Sequence, residues 1–188
     1  MSNKGLMFVV SAPSGTGKST VIDKVLRDMP FLKKPVSYTT RSPRSGEVNE
    51  KDYNFISAKE FEDKLQRGDF IEWAKVYDNY YGTSLKYIDQ ELSKGSFLIK
   101  DIDTQGALQL KKVLGTKAVL IFIEPPSAEE LESRIRKRGK DCDEVIKKRM
   151  ECARAEMKEA DKYDHRVVND KMDEAVEKMK NIIRELTR

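Results

Sequence analysis

The chain has 188 residues, of which 38% are hydrophobic and 36% charged, so its length and apolar content suit one compact domain or a core with small inserted lobes. The formal net charge is only +4, and basic and acidic residues alternate along most predicted helices, which argues against a nucleic-acid-binding stripe or a polybasic membrane anchor. No apolar run reaches membrane-spanning length and the N-terminal one is too short for a signal peptide, so we expect a cytoplasmic protein.

The first predicted strand, LMFVV, leads into a loop of small residues that ends in Gly17-Lys18-Ser19-Thr20, and apolar residues at helical spacing follow. This order predicts a strand, a phosphate-binding loop and a helix. Glycines let backbone N–H groups turn toward phosphate oxygens, and the helix N-terminus adds partial positive charge. Lys18 would then reach the outer phosphates and the Ser19 hydroxyl would bind Mg²⁺. The alternative is an ordinary Gly/Ser turn beside a surface lysine.

The loop departs from the pattern GxxxxGK[ST] at its first position, which is Ala12. Alanine has the smallest side chain after glycine, so the loop keeps most of its room and loses a little torsional freedom. We therefore expect the loop to bind a nucleoside triphosphate. The predicted contacts are Ala12, Pro13, Ser14, Gly15, Thr16, Gly17, Lys18, Ser19 and Thr20.

Strands and helices alternate along the rest of the chain, which predicts an α/β fold with a parallel sheet and crossover helices. Residues 35–83 interrupt this alternation, because they are rich in Ser, Thr, Tyr, Gly and Arg. Within them, the capping box Ser57-x-x-Glu60 predicts a helix that ends near Gly68, and FIEWAKVYDNYYGTS predicts a strand and hairpin. We interpret this segment as an inserted, mostly β lobe.

The core is predicted to resume with a helix from Ser84 to Gly95, the strand FLIKD, the helix IDTQGALQLKKVL and the buried strand KAVLIFIE. After two prolines, Ser127 caps another helix, and the basic segment around Gly139 predicts a mobile cover. HRVVND predicts a short strand, and a closing amphipathic helix follows. The predicted division is core 1–34, lobe 35–83, core 84–126, helical lid 127–149 and core 150–188.

Two arginines in the lobe, Arg41 and Arg44, lie three residues apart in TTRSPRSGE. Two guanidinium groups that converge suit a phosphate dianion, because each donates two hydrogen bonds. Tyr53 and Tyr81 could add phenolic donors to the same oxygens. The alternative is a pair of solvated surface arginines.

Three carboxylates are candidates for a binding site. Glu72, on a predicted strand, could accept two parallel hydrogen bonds from guanine, whereas adenine offers no such pair. By pattern alone, a glutamate on a strand more often faces solvent. Asp101 and Asp103 end a strand beside the phosphate loop, where Mg²⁺ is expected to be held through water. Asp103 could instead, or in addition, cap the following helix.

Cys142 and Cys152 lie close together in one predicted helical segment and have no other metal ligands nearby. We therefore expect reduced thiols, as is usual in the cytoplasm.

The chain resembles the guanylate kinases along nearly its whole length. The resemblance rests on SAPSGTGKST, SYTTRSPRSGEVNEKDYNF, FIEWAKVYDNYYGTS, KDIDTQGALQL and IFIEPPSAEELESRI, which occur in the family's order. It implies a P-loop NTPase fold with a GMP-binding lobe and a lid, and transfer of the γ-phosphoryl group of ATP to GMP with Mg²⁺. One position is unusual: Lys100 precedes Asp101 where an apolar residue is expected.

The resemblance also implies roles for individual residues. The GMP phosphate ligands would be Arg41, Arg44, Tyr53 and Tyr81. The guanine site would comprise Ser37, Glu72, Thr83 and Asp103. The metal would be near Ser19 and Asp101. The catalytic residues would be Lys18, Arg41, Arg44, Arg138 and Arg149.

The lid arginines would cover the ATP phosphates. Arg134 and Arg138 are four residues apart and so share one helix face, and Arg149 lies on the next predicted helix. Asn169 corresponds to a family residue near adenine. The alternatives are a solvated basic helix for the arginines and a turn at a strand end for Asn169.

Two other functions remain open at the sequence level. One is a related small-molecule kinase, such as a ribose bisphosphate phosphokinase, which would not need Glu72. The other is a non-catalytic guanylate-kinase-like binding module, although such modules typically lose the phosphate loop that is present here. A GTPase is disfavoured because the chain has no NKxD sequence. The sequence predicts no nucleic-acid or membrane partner and leaves the choice between monomer and homodimer open.

Overall fold

The computed structural model describes residues 5–76, 78–137 and 142–188. The strands in these ranges are β1 (Met7–Ser11), β2 (Leu32–Lys33), β3 (Tyr38–Thr39), β4 (Asn54–Phe55), β5 (Phe70–Val76), β6 (Asn79–Ser84), β7 (Phe97–Asp101), β8 (Ala118–Glu124) and β9 (His165–Val168). The α-helices are α1 (Lys18–Asp28), α2 (Ala58–Gln66), α3 (Leu85–Ser93), α4 (Thr104–Leu114), α5 (Ala128–Lys137), α6 (Asp143–Met157) and α7 (Met172–Leu186). None of the described helices is both long and apolar enough to cross a membrane.

A five-stranded parallel sheet forms the centre of the fold, in the order β2-β7-β1-β8-β9. Its parallel pairing confirms the prediction from alternating strands and helices. All seven residues of β8 are buried, as expected for a central parallel strand covered by helices on both faces. The short edge strand β2 was not predicted, because two residues are too few to show the alternation of side chains that is typical of a strand.

Side chains alternate between the two faces of the central sheet and form two hydrophobic clusters. Phe8 and Val10 of β1 belong to the cluster that includes side chains of α1 and α7. Met7 and Val9 belong to the opposite cluster, with side chains of α3 and α4. This two-sided burial positions the carboxyl ends of the strands, where ligands bind in open α/β sheets.

A second, four-stranded sheet has the order β4-β3-β6-β5 and is called here the small sheet. Antiparallel pairing of β5 with β6 confirms the predicted hairpin. Phe61 of α2 stacks on Phe70 and Tyr80, with ring centroids 4.4 and 5.2 Å apart. Gly82 is needed there, since a Cβ would lie 2.9 Å from the Phe70 ring.

Helix caps agree with the sequence pattern. Ser57 and Glu60 form the predicted capping box of α2, and Ser84 accepts a hydrogen bond from Tyr87 at the start of α3. Ser127 accepts from the amide of Glu130 in α5. These contacts are local in sequence, which explains why they were predictable.

Candidate active site

The phosphate-binding loop connects β1 to α1, as predicted. Gly15 and Gly17 have φ angles of +97° and +90°, which L-residues with side chains rarely adopt. The hydroxyl of Thr16 donates to the Pro13 carbonyl at 2.8 Å and closes the turn. Gly17 is the N-cap residue of α1, and no side-chain hydrogen bond caps this helix. The backbone N–H groups at the helix N-terminus are therefore left to bind an anion.

Ala12 is compatible with this loop. It is buried and belongs to the hydrophobic cluster that includes α1 and α7 side chains. Glu50 alone among the described non-glycine residues has a positive φ, so Ala12 adopts an ordinary backbone conformation. The backbone at this position therefore does not require a glycine, and alanine is tolerated.

Asn169 supports the loop from the distant end of β9. Its Nδ2 donates to the carbonyl of Thr16 at 2.7 Å, and its side chain is buried. A Cβ on Gly17 would lie 2.8 Å from that nitrogen, so the two segments are in close contact. Asn169 thus stabilises the loop backbone, and its predicted contact with adenine stays a prediction.

A cleft of about 420 Å³, called here the P-loop cleft, is lined by every residue of the loop from Ala12 to Thr20 except the buried Thr16. Asp101, Asp103 and Glu156 also line it. Glu156 of α6 was missed at the sequence level, since it lies in an unremarkable charged helix. Burial raises the pKa of its carboxyl, and the charge of Lys18 acts in the opposite direction.

A second cleft of about 360 Å³, called here the small-sheet cleft, lies beside the first. Of the predicted acceptor-site residues, those lining it are Ser37, Tyr53, Glu72, Tyr81 and Asp103. Asp101 and Asp103 border both clefts. Two ligands, one in each cleft, would therefore meet at these two carboxylates.

Arg41 is held by a carboxylate that sequence reasoning did not assign. Its guanidinium donates to both oxygens of Glu47, at 2.8 and 3.0 Å, and lies 5.5 Å from the centroid of the Tyr53 ring. This pairing and the Tyr81 hydroxyl raise the pKa of Arg41. The amide of Arg44 donates to Glu47 at 2.7 Å, while the Arg44 side chain is exposed. Glu47 therefore brings both arginine segments together.

Glu72 lies on β5 opposite Thr83 of β6, and the Thr83 hydroxyl donates to its carboxylate. Thr83 is fully buried, so it acts on the cleft through this hydrogen bond. Burial raises the pKa of Glu72, whereas the Thr83 hydrogen bond and the positive charge of Lys100 lower it. The Glu72 carboxylate is thus held in place by the Thr83 hydroxyl, which pairs with one of its oxygens.

The side chain of Lys100 enters the small-sheet cleft and is only 5% exposed. Its Nζ donates to Oγ of Ser37 at 2.5 Å. Burial lowers its pKa, and the charges of Glu72 and Asp101 oppose that change. Lys100, which stands where an apolar residue is expected, therefore lines the small-sheet cleft.

Asp103 caps α4, since its Oδ1 accepts from the amide of Gly106 at 2.8 Å. This confirms the capping interpretation and leaves its second oxygen beside the clefts. Asp101 is half-buried at the end of β7, and Ser19 is exposed on the first turn of α1. No group of three or more His, Cys, Asp or Glu residues that could hold a metal occurs in the ranges that the structure describes.

The predicted lid region includes α5 and the start of α6. Arg134 donates to the carbonyls of Asn169 and Asp170, at 2.8 and 3.3 Å. Arg149 is half-buried on α6, and Arg138 lies outside the described residues. Side chains of α5 also contact the loop, because a Cβ on Gly15 would lie 3.0 Å from Ile135. The helix that carries Arg134 is therefore packed on the phosphate loop.

The chain is similar to known proteins along nearly its whole length. A family model described as guanylate kinase matches residues 4–186. The guanylate kinase of Protochlamydia amoebophila is 46% identical over 180 residues, covering 96% of this chain and 90% of that protein. That of Clostridium tetani is 49% identical over 180 residues, covering 96% of this chain and 86% of that protein.

A solved structure is also similar. The crystal structure of guanylate kinase from Anaplasma phagocytophilum superposes with a TM-score of 0.79 and 33% identity, covering 100% of this chain and 88% of that chain. Its similarity extends over both sheets, because the whole chain is covered. With a P-loop cleft and an adjoining small-sheet cleft in place, the chain belongs to the guanylate kinase family.

Proposed function

We propose that this chain transfers the γ-phosphoryl group of ATP to GMP, with the P-loop cleft as the donor site and the small-sheet cleft as the acceptor site. The observation that carries the proposal is that the two clefts adjoin at Asp101 and Asp103. Phosphoryl transfer needs the attacking and leaving oxygens in line, which such a junction allows. Residues 35–83 would form the GMP-binding lobe and residues 127–149 the lid.

The acceptor site has groups for both ends of GMP. Arg41, Tyr53 and Tyr81 would bind the phosphate, with Arg44 reaching it from the exposed side. Glu72 would accept hydrogen bonds from N1–H and the exocyclic amine of guanine, and Thr83 keeps its carboxylate oriented. A carboxylate at this position favours guanine over adenine, since adenine presents no such pair of donors.

Catalysis would consist of positioning and charge neutralisation. The attacking phosphate oxygen of GMP is already anionic, so no general base is required. Lys18 and the loop amides would hold the donor phosphates, and Arg41 and Arg44 the acceptor phosphate. The lid arginines, Arg134, Arg138 and Arg149, would add positive charge over the transferred group and exclude water.

Mg²⁺ fits the oxygen groups beside the P-loop cleft. The Ser19 hydroxyl and the Asp101 carboxylate are the residues that would hold it, Asp101 through water. When bound, the ion would neutralise charge on the donor phosphates. Both groups border the same cleft as Lys18.

The setting we infer is the cytoplasm, with ATP and GMP as small-molecule partners. Both cysteines are free and exposed, which agrees with a reducing compartment.

A coupled assay of ADP release tests the function. With ATP and Mg²⁺, we expect turnover with GMP and none with AMP, UMP, CMP or ribose bisphosphate, while dGMP measures the role of the 2′-hydroxyl. Lys18→Ala should lower kcat by about 100-fold or more. Lys178→Ala, an exposed lysine on α7, is the matched control.

Two outcomes would contradict the proposal. Turnover with AMP equal to that with GMP would contradict the proposal that the acceptor site selects guanine. Absence of ADP release with every acceptor, in a protein with native circular dichroism, would favour the non-catalytic binding module.

A further inference from the structure

The small-sheet cleft contains a lysine for which the proposed reaction has no role so far. Lys100 is on β7, two residues after Leu98, so both side chains emerge on the same face of the strand. Leu98 is fully buried in the hydrophobic cluster on that face. An apolar residue would continue this face, yet the chain buries an ammonium group here to 5% exposure. Burial of an unpaired charge is costly, so its polar contacts are informative.

The contacts of Lys100 direct its hydrogen-bond donors into the cleft. Its Nζ donates to Oγ of Ser37 at 2.5 Å. Because an ammonium has three N–H donors and no acceptor, further donors remain beside Ser37. The Ser37 hydroxyl accepts from Lys100, so its own O–H is directed elsewhere as a donor. Lys100 and Ser37 together form a donor pair.

An acceptor lies beside this donor pair in the same cleft. The Glu72 carboxylate attracts Lys100 electrostatically, and one of its oxygens is paired with Thr83. The cleft therefore presents N–H and O–H donors next to a carboxylate acceptor. The guanine edge has the complementary order, with the O6 acceptor next to the N1–H and N2–H₂ donors. A 6-amino purine would place a donor against Lys100.

We propose that Lys100 is a specificity-determining residue of the acceptor site, where its ammonium and the Ser37 hydroxyl that it orients donate to O6 of the guanine base. This inference rests on the proposed function and names the group that reads the 6-position. Lys100 then accounts for selection of a 6-oxo purine, and Glu72 for the N1–H and 2-amino groups.

The test compares acceptors that differ at single positions of the base. The 5′-monophosphate of 2-aminopurine riboside lacks O6, and with it the N1 proton, whereas IMP keeps O6 and lacks the 2-amino group. The variant is Lys100→Met, which removes the donors and keeps an unbranched apolar stem. Lys178→Met is the matched control, because Lys178 is an exposed lysine on α7 that lines neither cleft.

In the parent, kcat/KM should be much higher for GMP than for the 2-aminopurine nucleotide. Lys100→Met should reduce this ratio by about 10- to 100-fold, the usual range for loss of a hydrogen bond to a charged group. The ratio of GMP to IMP should stay within a factor of about three, since Glu72 reads the 2-amino group in both proteins. Lys178→Met should change neither ratio.

A binding measurement without ATP separates this inference from the proposed function. Calorimetric titration should give the same change in the ratio of dissociation constants for GMP and the 2-aminopurine nucleotide. If the parent binds GMP without phosphorylating it, the proposed reaction fails and the binding ratio still tests Lys100.

An unchanged ratio in Lys100→Met, or an equal loss for all three nucleotides, would overturn the inference and assign Lys100 a structural role alone. Circular dichroism checks that the variant is folded. Lys100→Gln, with a neutral donor, is the second variant and should show an intermediate ratio.

Discussion

Glu47 binds the Arg41 guanidinium through both carboxylate oxygens, at 2.8 and 3.0 Å, and accepts a third hydrogen bond from the Arg44 amide at 2.7 Å. One carboxylate thus fixes the separation of the two arginine segments before any ligand arrives. Hydrogen bonds that Arg41 and Arg44 donate lower the pKa of Glu47, so it remains ionised at neutral pH. Holding the Arg41 guanidinium in place in this way reduces the ordering cost of binding a phosphate.

The first prediction concerns this pair. Glu47→Gln keeps the size of the side chain and loses the charge and one acceptor, so Arg41 should be held less firmly. We expect KM for GMP to rise by about 5- to 10-fold, with KM for ATP unchanged. Initial rates over both substrate concentrations measure this. The control is Glu62→Gln, an exposed glutamate on α2. A rise in KM for ATP alone would contradict the role given to Glu47.

The second prediction concerns base selection by Glu72. Glu72→Gln leaves an acceptor but adds an N–H₂ that opposes the guanine donors, so kcat/KM for GMP should fall by about 100-fold. KM for ATP should stay unchanged, because the P-loop cleft is not altered. Thr83→Val, which removes the hydroxyl that orients Glu72, should cost less than Glu72→Gln. Undiminished use of GMP by the Gln variant would show that guanine is read elsewhere.

The third prediction follows from the raised pKa of Glu72. Burial raises it above the ordinary 4.5, with Asp103 adding to the shift and Thr83 and Lys100 opposing it. At pH values between the pKa of Glu72 in the unfolded chain and its higher pKa in the folded chain, the folded state binds more protons. The contribution of Glu72 to stability is therefore fully present below the unfolded pKa and is lost as the pH rises through the folded pKa. A glutamine side chain does not titrate, so Glu72→Gln removes this pH dependence.

The Tm of Glu72→Gln minus that of the parent should therefore increase from pH 4.5 to pH 8, by about 2–4 °C. Differential scanning fluorimetry at several pH values measures the difference. Glu62→Gln, at an exposed position on α2, is again the control. A difference that decreases with pH would mean that the folded state stabilises the ionised Glu72.

The fourth prediction concerns Asn169, whose amide supports the Thr16 carbonyl at 2.7 Å. Asn169→Ala leaves that buried acceptor unpaired, which costs about 1–3 kcal/mol. Tm should fall by several degrees and KM for ATP should rise, because the loop loses its support. Thermal unfolding and steady-state kinetics measure both. In Asp170→Ala the Arg134 contact with the Asp170 carbonyl is retained, so this control should behave as the parent. An unchanged Tm in Asn169→Ala would show that the loop holds its shape by itself.

Features with a local physical cause were predictable from the sequence. The phosphate loop follows from glycines that must adopt positive φ between an apolar strand and a helix, and Gly15 and Gly17 do so. The helix starts at Ser57 and Ser127 follow from side chains that bond amides three residues away. The parallel sheet follows from alternating apolar strands and amphipathic helices, since such strands can only be covered by crossover helices. Resemblance to the family then supplied the predicted roles of the arginines and Glu72.

The partners of the site residues depended on the tertiary structure, because they join positions far apart in the chain. Lys100 and Ser37 are 63 residues apart, and Asn169 and Thr16 are 153 apart. A lysine at the end of a strand could equally have faced solvent, and the burial of Lys100 beside Glu72 arises only when the small sheet packs over the end of β7. The sequence by itself therefore determined the phosphate loop, the order of the longer strands and the helices, and the family. Packing of the two sheets decided which charges are buried together, since the cost of burying a charge is set by the groups that surround it.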